Sequence, residues 1–419
     1  MKKMYLFILV FYVAILGRAQ RPVVYDKDIH SLRLETNLGV SGLPVLALGK
    51  NEVLKVSFDD LTHDYRRFSY RIVHVGADFV TDEGLFDSEY MEADDEWLVI
   101  DEYQQSLNTS VLYNHYDFQL PNVGMHPVLS GNYRIEVKVE DSEGEEQKAF
   151  DAYIAVVEQK TSILLSGTTN TDIDHNKNHQ QVSVEVIHSS LTLRDASDEL
   201  RIVVLQNGRW DNAVEWPKPT AQTGNSLKWE YCKDLIFKAG NEYRKFEQVS
   251  TRYPGMFVDK VRYFDPYYFA SLRMDDIRHN YLYDEDQNGG FFYRTDGGGN
   301  PDTEADYMQM LFQLDIAPML EADIYLQGLW TGNQFTPKYK MKYNTERKAY
   351  EALVLLKQGY YSYQYLVVPH GGHSQGRTAD IEGDYFQTEN NYTVLVYYRP
   401  TGSRYDQLVG WRTASFRPR

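Results

Sequence analysis

Apolar and polar residues alternate along most of the chain with period two, the spacing of a strand with one buried face. Leu54, Val56 and Phe58 alternate with Lys55 and Ser57. Phe68, Tyr70 and Ile72 alternate with Ser69 and Arg71, and Tyr133, Ile135, Val137 and Val139 with Arg134, Glu136 and Lys138. The last of these enters through Ser130-Gly131-Asn132 and leaves through Asp141-Ser142-Glu143-Gly144, both turn sequences. A return strand follows at 150–157. These elements predict a first β-sandwich over 20–158.

A second set of strands is predicted at 181–188, 200–206, 227–232, 242–247 and 258–264. Asn207-Gly208 between two of them is the strongest hairpin signal in the chain, and Ala239-Gly240-Asn241 is a further turn. This set predicts a second sandwich over 159–298. The run Thr295-Asp296-Gly297-Gly298-Gly299-Asn300-Pro301 reads as a linker or flexible loop. Beyond it, Met308, Met310, Phe312 and Leu314 alternate, and strands follow at 323–328, 338–343, 350–356, 360–368 and 392–398. They predict a third, early-set-like sandwich over 302–419, with 414–419 frayed. No long amphipathic helix and no internal repeat emerges. The expected fold is all-β, three consecutive immunoglobulin-like or early-set-like sandwiches.

The first residues break this pattern. Lys2 and Lys3 precede a short apolar stretch, and Gly17 and Ala19 supply small residues for cleavage. Residues 1–19 are read as a secretory signal peptide, with an uncleaved anchor as the alternative. No later stretch reaches the length of a membrane helix, so the mature chain is expected outside the cytoplasm and not inserted in a bilayer.

Composition narrows the function. The 419 residues carry a formal charge of −17. That argues against binding nucleic acid or an anionic membrane, both of which need cations. One cysteine, Cys232, allows no disulfide framework within the chain; it is expected as a buried thiol on the 227–232 strand.

The chemical motifs are incomplete. Gly372-His373-Ser374-Gln375-Gly376 matches the G-x-S-x-G elbow, and a strand precedes it. However, no histidine follows Ser374 and the next segment lacks a helical period. The bland alternative is a polar loop. Asp284-Glu285-Asp286-Gln287-Asn288-Gly289 resembles the start of a calcium loop, but position twelve is Thr295 rather than the bidentate Glu. His175 with His179, and His370 with His373, are too few for a rigid zinc site. Acidic clusters such as Asp94-Asp95-Glu96 read as solvated faces. No cofactor or metal signature is complete, and no catalytic residue is assigned.

Aromatic residues are the distinctive feature. Tyr occurs 34 times against 19 Phe and 6 Trp. Tyr263, Phe264, Tyr267, Tyr268 and Phe269 crowd around Pro266, and Tyr360, Tyr361, Tyr363 and Tyr365 occupy both faces of one strand. One face must be core. The other needs domain packing, sugar stacking or a Tyr- and Arg-rich protein interface. The candidate interaction residues are Arg209, Trp210, Tyr267, Tyr268, Trp330, Tyr398, Arg404 and Tyr405. Trp210 has a plainer alternative, packing over the adjacent hairpin turn.

Several stretches then match a known family in order, from about 45 to 410. Val204-Leu205-Gln206-Asn207-Gly208-Arg209-Trp210-Asp211-Asn212-Ala213 resembles a hallmark segment of the plug-protein family of the type IX secretion system. So do Phe237-Lys238-Ala239-Gly240-Asn241-Glu242-Tyr243-Arg244-Lys245-Phe246, Leu129-Ser130-Gly131-Asn132-Tyr133, Tyr392-Thr393-Val394-Leu395-Val396-Tyr397-Tyr398-Arg399-Pro400 and Gly402-Ser403-Arg404-Tyr405-Asp406. The resemblance implies a periplasmic protein of Gram-negative bacteria, monomeric when free. It would bind the periplasmic mouth of the outer-membrane translocon barrel and close it when no cargo passes. It implies no catalysis and assigns no contact residues. The competing reading is a carbohydrate-binding sandwich of the envelope, with Trp330 on an open aromatic platform. A third is a hydrolase using Ser374.

Overall fold

The computed structural model describes residues 21–37, 39–40, 42–141, 144–371 and 375–418. The expected leader lies outside them, as do Gly372, His373 and Ser374. The architecture is all-β, with sheets packed face to face. The α-helices among the described residues are three single turns.

The N-terminal sandwich follows the alternation closely. One sheet is centred on Glu146–Val157, Gly131–Glu140 and Arg67–Val75, all antiparallel. The facing sheet is centred on Ile29–Thr36, Leu54–Asp60 and Asn114–Leu120. Val56, Phe58, Tyr70, Tyr133, Ile135 and Phe150 meet between them with almost no solvent exposure. Phe58 lies edge-on to both Phe68 and Phe150 at 5.0 Å, the offset geometry that ring quadrupoles favour.

The next boundary departs from expectation. Leu200–Gln206 pairs on one side with Arg209–Glu215 and on the other with Asn390–Tyr398, which pairs in turn with Gln407–Phe416. The strands at 390–398 and 407–416, expected in the third sandwich, therefore complete the sheet of the middle one. Its second sheet holds Ser162–Thr168, His179–Ile187 and Ser226–Trp229. The residues expected to fray are in register as far as Phe416, opposite Asn390. The hairpin at Asn207-Gly208 forms as expected: both residues adopt positive φ, 50° and 66°, as a type I′ turn requires.

The remaining strands form the third sandwich, inserted in the middle one. Arg244–Gln248 and Phe291–Tyr293 pair with Gly359–Pro369. Val258–Phe264 and Tyr267–Leu272 join Tyr307–Leu314 and Ala349–Lys357. The division into 159–298 and 302–419 is corrected accordingly. Period two reports that a residue sits on a strand face but carries nothing about which strand lies alongside. The run at 295–301 is also no free linker. Asn300 caps the single helical turn Pro301–Glu304, accepting from the Asp302 amide at 3.1 Å, and Asp302 pairs with Arg33 of the N-terminal sandwich at 2.8 Å.

Candidate functional site

The chemistry of this molecule concentrates where the sandwiches meet. Between the N-terminal and third sandwiches lies a buried polar cluster centred on Asp59, on the strand Leu54–Asp60. Asp59 and Lys357 are both fully enclosed, with Lys357 Nζ donating to Asp59 Oδ2 at 2.7 Å. Tyr307 Oη donates to the same oxygen at 2.7 Å, and His115 Nδ1 meets Oδ1 at 2.6 Å. Lys357 also donates to the Asp302 carbonyl at 2.7 Å and sits 4.2 Å from the Tyr113 ring centroid. Burial opposes ionisation of Asp59, but Lys357 and the His115 hydrogen bond outweigh it and hold the carboxyl below its usual range. Burial lowers the Lys357 ammonium against the pull of Asp59. The pair is a charged lock between elements about 300 residues apart in sequence, Lys357 lying 298 residues from Asp59.

The N-terminal and middle sandwiches meet through an apolar seam. Phe79, Tyr153 and Ala155 pack on Val203, Leu205, Trp210, Leu395, Tyr397 and Leu408. The seam is edged by hydrogen bonds: Tyr397 Oη to Asn132 Oδ1 at 3.0 Å, and the Ala77 amide to Asp406 Oδ2 at 3.1 Å.

This arrangement relocates the residues singled out from sequence. Trp210 is only 2% exposed and packs edge-on to Phe79 at 5.3 Å. Arg209 is buried too; its guanidinium forks onto Asp211 at 2.6 and 3.1 Å and donates to the Gly376 carbonyl at 3.0 Å. As exposed interaction residues these two are corrected: they join the middle sandwich to its neighbours. Arg404 reaches Glu89, and Tyr405 lies edge-on to His74 at 5.6 Å, both across to the N-terminal sandwich. Tyr398 is half-buried, donating to the Thr192 carbonyl at 3.2 Å.

Trp330 is half-buried rather than on an open platform. It stacks on Phe312 at 5.9 Å, meets Tyr339 and Tyr361 edge-on, and donates its indole N–H to the Ser362 carbonyl at 3.0 Å. The two-faced tyrosine strand is explained by packing on both sides. Tyr361, Tyr363 and Tyr365 point into the third core. On the other face Ser362 Oγ accepts from the Gly289 amide at 3.2 Å, Gln364 donates to Gln327 Oε1 at 2.6 Å, and Tyr360 stacks on Phe292 at 5.0 Å.

Tyr267 and Tyr268 lie half-buried on a hairpin whose other strand is the edge of its sheet. The register sets Tyr263 opposite Tyr268 and Phe264 opposite Tyr267. Tyr263 and Phe264, at 52% and 56% exposure, are the open members of the cluster. The sequence cluster located this hairpin. Which of its aromatics faced outward depended on strand register.

The other motifs find structural partners. Gly376 is tied down: its amide donates to Asp211 Oδ2 at 3.0 Å, and a Cβ there would lie 2.7 Å from the Leu366 side chain. In the acidic 284–289 loop, Asp284 pairs with Lys245 at 2.6 Å, and Asp286 turns inward to accept from the amides of Tyr243 and Asn288. Burial pushes Asp286 up to about 7, with the Asn288 and Tyr243 amides opposing and Glu242 reinforcing. His179 pairs with Asp174 at 2.6 Å and His370 with Asp323 at 3.1 Å. Among the described residues no group of three or more His, Cys, Asp or Glu is placed to hold a metal. Cys232 is buried as expected, just past the strand Ser226–Trp229, and burial pushes its thiol up.

Two hollows open at the junctions. The larger, about 1340 Å³, separates the middle and third sandwiches and is lined by amides including Gln206, Asn207, Asn212, Gln364 and Asn390. The smaller, about 490 Å³, lies between the N-terminal strand and the third sandwich. No helix among the described residues is long and apolar enough to cross a membrane.

Comparison with known proteins supplies the affiliation. No curated protein matches the chain. A crystal structure of a hypothetical protein from Parabacteroides merdae is 41% identical, with a TM-score of 0.91 over 94% of this chain and 99% of that one. The major pilin subunit of Bacillus cereus, 8% identical over 54% of this chain and 63% of its own, superposes with a TM-score of only 0.15. The family model of the type 9 secretion system plug protein first domain matches residues 29–158, nearly all of the N-terminal sandwich. The N-terminal sandwich belongs to the type 9 secretion system plug protein family, as its first domain.

Proposed function

We propose that the protein is a non-enzymatic periplasmic plug that seats against the periplasmic opening of the type IX outer-membrane translocon barrel and closes it. The observation that carries this reading is the family match over the N-terminal sandwich. The physical chemistry of the chain agrees with it. A pore wide enough for folded cargo needs a stopper that keeps its shape. Here three sandwiches are tied by a buried ion pair, an apolar seam and the hydrogen bond from Arg209 to the Gly376 carbonyl. A stopper that leaves must also make wet, modest contacts rather than a core-like seal, over an interface of roughly 1,600 Å². The exposed Tyr263–Phe264 hairpin has the rigid amphipathic surface suited to such a contact. The glycan reading needs Trp330 on an open platform, and Trp330 is half-buried, packed on Phe312 with its N–H held by the Ser362 carbonyl.

The test is affinity purification of the tagged protein from detergent-solubilised envelope. Recovery of a very large outer-membrane barrel protein is expected. The Tyr263→Ser/Phe264→Ser variant should fold normally and recover at least tenfold less of it. Recovery of glycan alone, or of no barrel protein, overturns the reading.

A further inference from the structure

The smaller hollow has a charge balance unlike the rest of the molecule. The chain carries −17 overall, yet among the residues lining this hollow the sole carboxylate is Asp26. Arg66 already holds Asp26 at 2.6 Å. The lining cations are Arg21, Lys27, Lys338 and Lys357, of which Lys357 is committed to Asp59. Lys338 is different. Its ammonium lies 5.5 Å from the ring centroid of the adjacent Tyr339, and no carboxylate pairs with it among the described residues. Its side chain is exposed, and it lines the hollow. Desolvation with no counter-charge lowers its ammonium below the ordinary lysine value. His30 beside it is held down to about 4, by burial first and by Lys338 second, and so is neutral at pH 7.

Much of the remaining wall is apolar, beside the polar side chains of Ser31, Thr331, Asn333, Gln334 and Thr336. Trp330, Tyr339, Tyr361, Leu34, Val40 and Leu329 enclose the space. The Trp330 ring is fixed by Phe312, Tyr339 and Tyr361. The N-terminal segment covers one side, tied by a hydrogen bond from the Gln334 side chain to the Pro22 carbonyl. A volume of about 490 Å³ lies within the range of small-molecule sites, and an apolar chamber with a few convergent polar groups is their usual form. A carboxylate entering the hollow meets at Lys338 a cation that no carboxylate of the lining neutralises, beside apolar walls that weaken solvent screening.

The geometry points to a binding site for a small amphipathic carboxylate, its apolar body among Trp330, Tyr339 and Val40 and its acidic head at Lys338 Nζ. This site is separate from the exposed hairpin proposed to meet the translocon and stands whether or not plugging is correct.

Isothermal titration calorimetry on the purified protein tests it, with dodecanoate, dodecylamine and 4-phenylbutyrate as probes below their aggregation concentrations. One equivalent of dodecanoate or 4-phenylbutyrate should bind, and the tighter of the two identifies an acyl or an aryl body. Dodecylamine, with the same chain and the opposite charge, should bind at least tenfold more weakly. Lys338→Glu should weaken the carboxylate at least tenfold, and Val40→Phe should abolish binding by filling the hollow, each with an unchanged melting temperature. Lys338→Gln replaces the charge-reversed variant if that one fails to fold. Equal binding of dodecylamine, no saturable carboxylate binding, or undiminished affinity without the Lys338 charge overturns the assignment.

Discussion

The N-terminal sandwich contacts its two neighbours by opposite means. Toward the middle sandwich it presents Phe79, Tyr153 and Ala155 to an apolar seam. Toward the third it presents Asp59, His115 and Arg33 to a buried polar cluster. An apolar seam is non-directional and gains with area. A buried ion pair adds little net stability, because desolvation offsets most of its Coulomb energy, but it is severe on any arrangement that leaves one charge alone. The seam therefore supplies adhesion, and the cluster supplies a unique docking angle. The proposed role as a stopper for a wide pore would draw on both.

The largest effect expected in breaking this contrast is at the cluster. Lys357→Met leaves Asp59 enclosed without its cation and should cost about 3–5 kcal/mol, read by denaturant unfolding. Adding Asp59→Leu should cost less than the two single losses combined, since a double-mutant cycle removes the stranded charge. A simple sum would mean the two groups do not act as a pair. At the seam, Leu395→Ala should cost about 3 kcal/mol through lost transfer energy and a cavity. Its partner changes should be additive wherever side chains do not touch.

Acid should separate the two junctions next. Asp59 is held below its unfolded pKa, so its contribution is present above that value, about 4, and is lost as pH falls through the folded one. The third sandwich should loosen from the N-terminal one in strong acid while the apolar seam persists, as hydrogen exchange at 355–357 against 395–397 would reveal. Asp286 works the other way. Its folded pKa, about 7, lies above the unfolded value, so stability falls as pH rises from about 4 toward 7. Asp286→Asn should flatten that slope in a series of thermal melts. The smallest effect is expected at the surface pair Arg404–Glu89, where Arg404→Ala should leave the melting temperature within experimental error.

Legibility from sequence followed a physical boundary. The strands Leu200–Gln206 and Val258–Phe264 were predicted to the residue, and the Asn207-Gly208 hairpin by its turn chemistry. Ile29–Thr36 and Asn114–Leu120 went unrecognised. In the first, the register shifts between His30 and Arg33; in the second, Asn114 and His115 are buried polar residues of the junction. Both blur the alternation. Arg209 and Trp210 drew notice as types common at interfaces, and they do serve one, but within the chain.

Alternation, turn residues and composition alone determined that this protein is all-β and built from packed sandwiches, because each of those signals is local and read over a few residues. Tertiary structure alone decided that the last two strands return to the middle sandwich, that Asp59 meets Lys357, and that Lys338 faces a hollow without a counter-ion. Partner choice in a sheet and the burial of a charge depend on residues hundreds of positions away, and no local period records them.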